Sequence, residues 1–274
     1  SGNRVRTEAL RRQVAPGGSG RAEKLIMTAA GTDAKVALVT GATSGIGKAI
    51  ADRLIREGFR VVLNGRSFAG QSGSPTIAES PTILGPSIVL NSADLLDERT
   101  PQALLDSAVE SFGRLDYVFV NAGTIESASI ETIDIEKMCT MLRLKVESSF
   151  RLIYTVLKHM KKQGYGHVFI TSSVLGTKTR ENSGAYAAGN HALEALAESL
   201  RMELSDTDIQ ITCIEPGLVS TNLHRDWPVH PKELLNIGSS LTPEDIADAV
   251  WDVMLKKDYI RIPRLMILPR GHRV

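Results

Sequence analysis

The sequence predicts a single α/β domain of the doubly wound kind, with seven mainly parallel strands and helices on both faces. Three observations carry this. Seven short runs rich in β-branched residues recur from Lys35 onward, and helical stretches separate them. The runs are apolar along their length, as strands buried on both faces are. Right-handed crossovers between parallel strands then give the doubly wound arrangement.

The chain has 274 residues, of which 42% are hydrophobic and 23% charged, enough for one large core. Its first stretch, SGNRVRTEALRRQVAPGGSGRAEKLI, is Arg-rich and broken by Pro-Gly-Gly. It lacks the apolar segment of a secretory signal, and Glu8 and Glu23 argue against a transit peptide. Residues 1–33 are expected to be a disordered or loosely attached tail, with Met27 as the natural start. Residues 34–274 form the domain.

The elements follow in order. KVALVT is the first strand and RVVLN the second. After the second, residues 67–87 (SFAGQSGSPTIAESPTILGPS) are rich in Gly, Ser and Pro and predict a loop with at most a short helix. SIVLNSAD, LDYVFVNAG, GHVFITSS, IQITCIEPG and RLMILPR complete the set. The helices over 130–160 and 186–204 carry long apolar faces. An irregular stretch, residues 221–240, precedes a helix capped at TPEDIADAV and reads as a lid or binding loop.

Composition excludes several classes of function. A formal charge of +1 argues against general nucleic-acid binding. No apolar run approaches the roughly 20 residues of a membrane helix. Cys139 and Cys213 fall in different elements, so a disulfide framework is not expected and a cytoplasmic setting is. His159 and His191 have no metal-ligand spacing, and no metal is expected.

Between the first strand and its helix stands GATSGIG, with Gly41, Gly45 and Gly47. The first glycine permits a sharp turn, the second a close approach of backbone to a pyrophosphate, and the third tight helix packing. Thr43, Ser44 and Ile46 fill the turn, and the helix N-terminus offers unpaired N–H groups to phosphate. A tight turn with no ligand is the bland alternative; the strand before and the amphipathic helix after favour a nucleotide.

The TGxxxGxG spacing resembles the short-chain dehydrogenase/reductase family, and further residues from Lys35 to about Arg270 carry the resemblance. It implies a Rossmann-type sheet of order 3-2-1-4-5-6-7. It assigns Asp94 to the adenine amino group. It matches VNAG to the family's NNAG, keeping Asn121 and Gly123 but not the first asparagine, which is Val120. In PGLVST, Pro216, Gly217, Val219 and Thr221 would hold the nicotinamide amide. After the second strand, Gly65 occupies the position where NAD-preferring members carry an acid, and Arg66 follows. An arginine fork pairs with a 2′-phosphate, so the expected cofactor is NADP(H).

The resemblance also implies four catalytic side chains. Ser173 would hydrogen-bond a carbonyl oxygen, and Tyr186 would exchange a proton with it. The family's YxxxK lysine is here Asn190, and its asparagine on the preceding helix is here Lys145. Lysine and asparagine are exchanged. Lys145 has a stem long enough to carry charge toward the gap at Asn190, which could itself bond a ribose hydroxyl beside Tyr186. If that charge reaches the site, the chain is an NADP(H)-dependent oxidoreductase acting on a small carbonyl or alcohol. If not, it is a catalytically silent nucleotide-binding protein, or an isomerase on the same frame. Leu175, Lys178, Arg180, His224 and Trp227 are the candidate substrate contacts, the two cations suiting a carboxylate or phosphate. The resemblance further implies a homo-oligomer, tetramer or dimer, joined through the two long helices.

Overall fold

The computed structural model describes residues 34–70, 82–225, 227, 229 and 231–273; the expected N-terminal tail lies outside them. The elements run β1 (Val36–Thr40), α1 (Gly45–Arg56), β2 (Arg60–Asn64), β3 (Thr82–Ile83), β4 (Ile88–Asn91), α2 (Thr100–Phe112) and β5 (Tyr117–Val120). They continue with α3 (Ile135–Leu142), α4 (Ser148–Gln163), β6 (Tyr165–Thr171), α5 (Gly184–Glu203), β7 (Asp208–Pro216), α6 (Pro231–Leu234), α7 (Pro243–Met254) and β8 (Arg264–Ile267).

The strands lie in the order β3-β4-β2-β1-β5-β6-β7-β8. All pairings are parallel except β3 with β4. Seven parallel strands thus take the expected order, with one two-residue strand added. The addition falls at the end of the stretch expected to be loop. Gly85, at φ +73°, turns the chain so that Leu84 N–H donates to Ile88 O at 2.7 Å. The resulting hairpin pairs the edge that β4 would otherwise expose.

Both sheet faces are buried, which explains the apolar runs. Val36 and Leu38 of β1 pack with α2, α4 and α5, while Ala37 and Val39 pack with α1 and α7. Successive strand side chains point to opposite faces, so one run feeds two cores. Thr242 caps α7 by accepting the Asp245 N–H while the Asp245 side chain accepts the Thr242 N–H, as TPEDIADAV predicted. The described part of residues 221–240 contains a 3₁₀ turn, Asn222–His224, and the single-turn α6.

Candidate active site

The C-terminal ends of the parallel strands gather the sequence motifs. Thr40 closes β1 against β5: its Oγ1 accepts the Asn121 and Ala122 N–H groups at 3.0 and 3.2 Å and donates to Phe119 O. Asn121 Nδ2 donates to Thr40 O at 3.2 Å, and its Oδ1 accepts from Thr171 Oγ1 at 3.1 Å. One asparagine therefore ties β1, β5 and β6 together below the turn.

The turn has the shape that a pyrophosphate requires. Gly41 and Gly45 sit at φ +66° and +54°, where side-chain-bearing residues are strained. A Cβ on Gly47 would lie 2.3 Å from Gly41 O, so α1 approaches the turn only because that residue is glycine. Ser44 is extended at the N-cap and its side chain makes no capping bond, which leaves the first-turn N–H groups to a ligand. Thr221 reaches over from the far end of β7, its Cγ2 being 3.2 Å from where a Gly45 Cβ would stand. The motif expected at the pyrophosphate and the motif expected at the nicotinamide amide are thus neighbours.

Gly65 also has a steric reason to be glycine: a Cβ there would meet Thr43 Cγ2 at 2.4 Å. Arg66 follows at the start of a 3₁₀ turn, exposed and without an ionic partner among the described residues. A cleft of about 240 Å³ opens beside them, lined by Thr43, Lys48, Leu63, Ser67 and Phe68 among others. Asp94 is exposed at the end of β4, its Oδ1 accepting the Leu96 N–H at 3.0 Å.

The four catalytic candidates converge. Ser173 follows β6 in extended conformation, and its Oγ accepts the Leu175 N–H at 3.2 Å. Ser172 packs instead toward Gly176, whose added Cβ would meet its Oγ at 2.5 Å. Tyr186 lies in the first turn of α5, buried. Asn190, one turn on, is fully buried and donates from Nδ2 to Tyr186 O at 2.7 Å, while its Oδ1 has no hydrogen-bond partner among the described residues.

Lys145 enters from the preceding helix. Residues Arg143–Glu147 form a π turn between α3 and α4, closed by the Ser148 N–H donating to Arg143 O. Its side chain is buried, 6% exposed, with Nζ 5.5 Å from the centre of the Tyr186 ring and 3.4 Å from Thr171 O. A Cβ on Gly123 would stand 3.8 Å from that Nζ. Among the described residues no carboxylate pairs with it. Burial lowers Lys145 from 10.5 to about 8. Burial also raises the Tyr186 phenol above its usual value, with hydrogen bonding to Ser173 and Asn190 pulling the other way.

The other substrate candidates are distributed differently. Leu175 belongs to the same buried apolar cluster as Tyr186, together with Met141, Val174 and Ala187. Lys178 and Arg180 are exposed on the β6–α5 loop. His224 and Trp227 pack edge to face in the stretch over residues 221–240, 4.9 Å apart at 83°, and are not among the residues clustered with Tyr186. Sequence reasoning missed Met141, Ile125 and Leu268, all packed in that cluster. Their apolar character was visible, but nothing local marked them as neighbours of the tyrosine. It also missed His272, whose Nδ1 accepts the Leu218 N–H at 3.3 Å. Burial, with the Arg180 charge, holds that imidazole below its ordinary value.

Comparison with known proteins agrees with this geometry. The chain is 29% identical over 235 residues to an uncharacterized oxidoreductase of Staphylococcus epidermidis, covering 86% of this chain and 97% of that one. It is 30% identical over 239 residues to an uncharacterized oxidoreductase of Staphylococcus saprophyticus, with the same coverage. Among solved structures it resembles an alcohol dehydrogenase from the archaeon Thermococcus sibiricus complexed with 5-hydroxy-NADP: TM-score 0.73, 25% identity, 88% of this chain and 99% of that one. It also resembles levodione reductase: TM-score 0.73, 28% identity, 85% and 95% covered. A serine dehydrogenase complexed with NADP+ shares the fold at TM-score 0.75, 24% identity, 87% and 96% covered. The family model described as short chain dehydrogenase matches residues 35–231, and the chain belongs to that family.

Proposed function

We propose that the protein is an NADP(H)-dependent oxidoreductase that interconverts a small carbonyl compound and its alcohol, with the active-site charge supplied by Lys145 in place of the missing lysine at Asn190. The observation that carries the reading is the buried Lys145 ammonium 5.5 Å from the Tyr186 ring. A lysine side chain buried with no acid partner is costly, and such groups cluster where function requires them.

The glycine turn, Asn121, Gly123 and the Pro216–Thr221 segment would hold the dinucleotide, with Asp94 at the adenine. Arg66 would pair with the 2′-phosphate, where the absence of an acid at Gly65 leaves no repulsion. NADP-bound relatives of the same fold support this choice. The nicotinamide, when bound, supplies or accepts the hydride.

The chain's own groups handle oxygen and proton. Ser173 Oγ donates to the substrate oxygen. Tyr186, whose burial keeps the phenol protonated at neutral pH, gives its proton as negative charge develops on that oxygen. The phenolate so formed lies near the Lys145 ammonium, which stabilises it and is itself charged below about pH 8. Asn190 Oδ1, buried and unpaired among the described residues, would accept from a cofactor ribose hydroxyl. Leu175 and Met141 would give the carbonyl an apolar wall, and Lys178 and Arg180, exposed on the β6–α5 loop, would meet an anionic substituent. The active unit is a cytoplasmic homo-oligomer, consistent with exposed Tyr154 on α4 and Met202 on α5; light scattering of the purified protein tests its size.

The deciding experiment follows NADPH oxidation over a panel of aldehydes and ketones for the wild type, Tyr186→Phe, Lys145→Ala and Asn190→Lys. Turnover by the wild type, lost in Tyr186→Phe and in Lys145→Ala, supports the relocated charge. Tight NADPH binding with no turnover, restored in Asn190→Lys, would establish a silent nucleotide-binding protein instead.

A further inference from the structure

The chain after β8 returns to the end of β7 and touches the segment assigned to the nicotinamide. Gly217 N–H donates to Ile267 O at 2.8 Å, so the two strands remain paired to their ends. Leu268 then packs into the apolar cluster on Tyr186. A turn follows, with Gly271 at φ +86° and the His272 N–H donating to Pro269 O at 3.1 Å. This turn carries the His272 ring back onto residues 217 and 218. Its Nδ1 accepts the Leu218 N–H at 3.3 Å. A Cβ on Gly217 would lie 2.5 Å from that same Nδ1 and 2.9 Å from Pro269 Cδ. Gly217 is therefore glycine because a histidine and a proline fill the space where its side chain would go.

Those contacts address a physical problem. Glycine has the largest backbone freedom of any residue, so a segment beginning Pro216-Gly217 holds one shape only if something outside it restrains the glycine. His272 restrains it twice, by filling the Cβ position and by accepting the next backbone N–H. The ring can accept only while Nδ1 is unprotonated, and its surroundings favour that neutral state.

We propose that His272 is a positioning residue, which fixes the Gly217–Val219 segment in the conformation that receives the nicotinamide carboxamide. The inference rests on the cofactor reading above. Fixing a binding segment in advance lowers the ordering cost on association, so its loss weakens cofactor binding more than it slows the chemical step.

The test compares His272→Ala, His272→Asn and His272→Gln. Asparagine places its Oδ1 close to the position of the histidine Nδ1 and can accept the Leu218 N–H. Glutamine carries its amide one carbon further and cannot do so from the same seat. Fluorescence titration gives the NADPH Kd, and steady-state kinetics give KM and kcat. The expected result is a rise of about tenfold in Kd and KM for His272→Ala, the upper range for one lost hydrogen bond, with kcat changed much less. His272→Asn returns to within about threefold of the wild type and His272→Gln does not. Wild-type binding by His272→Ala, or equal losses in all three variants, would overturn the role of His272 while leaving the cofactor reading intact. Failure of the wild type to bind NADPH would overturn both.

Discussion

Lys145 concentrates the functional question in one side chain. At about 1.4 kcal/mol per pH unit, its fall from 10.5 to about 8 means that burying the ammonium costs about 3 kcal/mol at neutral pH. Replacement by methionine, similar in volume and uncharged, removes that cost. Lys145→Met is expected to be up to about 3 kcal/mol more stable at pH 7 by denaturant unfolding, the gain shrinking between pH 8 and 10.5 as the folded wild type loses the proton that the unfolded chain retains. The same variant is expected to lose about 10²- to 10³-fold in kcat, the effect of deleting one electrostatic stabiliser. A further consequence concerns pH. On the proposed reading the rate requires ammonium, so wild-type reduction is expected to hold its value below about pH 8 and to fall as pH rises through it, a limb that the pH–rate profile of Lys145→Met is expected to lack. Lysine at 145 and asparagine at 190 were legible as an exchange only against the motifs of the family that the sequence resembles. Whether the long stem turned inward was not, because a lysine can equally extend into water.

At the scale of elements, the π turn decides where that stem points. The Arg143–Ser148 bond closes a wider loop than the bonds of α3 and α4 on either side. One residue more per turn shifts the register, and such bulges recur at functional sites. No periodicity in MLRLKVESSF announces it, since the wider turn depends on packing against α5. The turn after β2 invites a sharper test. Because any Cβ at 65 would lie 2.4 Å from Thr43 Cγ2, Gly65→Asp alone is expected to disturb the glycine turn and weaken both cofactors. Pairing it with Thr43→Ser removes the obstructing methyl, and the ratio of kcat/KM for NADPH to that for NADH is expected to fall below one. Arg66→Ala should lower that ratio by about tenfold or more, the value of a charge-assisted hydrogen bond to phosphate.

For the molecule as a whole, the helix that carries Tyr186 must be held to the sheet. Glu194, one turn beyond Asn190, meets Arg264 of β8 at 3.3 Å, and Glu215 at the end of β7 meets the same guanidinium at 3.4 Å. Both carboxylates are almost wholly buried, at 3% and 1% exposed, while the arginine side chain is 44% exposed. Burial and the neighbouring Glu194 raise the Glu215 carboxyl above its usual value. Removing the shared cation leaves two acids together in the interior. Arg264→Ala is expected to lose about 1–3 kcal/mol of stability in denaturant titration, less than for a wholly buried pair because the arginine is partly exposed and Arg201 also acts on Glu215, with activity failing at lower temperature than in the wild type. The arrangement joins residues 194, 215 and 264 of the chain, and only the parallel register of β7 with β8, Glu215 opposite Met266, brings them together.

The amino-acid order alone determined the parallel α/β frame and the glycine turn, because apolar runs and turn glycines act over a few residues at a time; the order of the strands came from the family resemblance. The family resemblance nominated Ser173, Tyr186, Lys145 and Asn190 as the catalytic candidates. Tertiary contact decided the rest. It sent Lys145 inward beside the phenol, set Thr43 against Gly65, gathered Met141 and Leu268 around Tyr186, and brought His272 onto Gly217. Each of these depends on packing between segments far apart in the chain, and no local pattern encodes which distant side chain will occupy a given space.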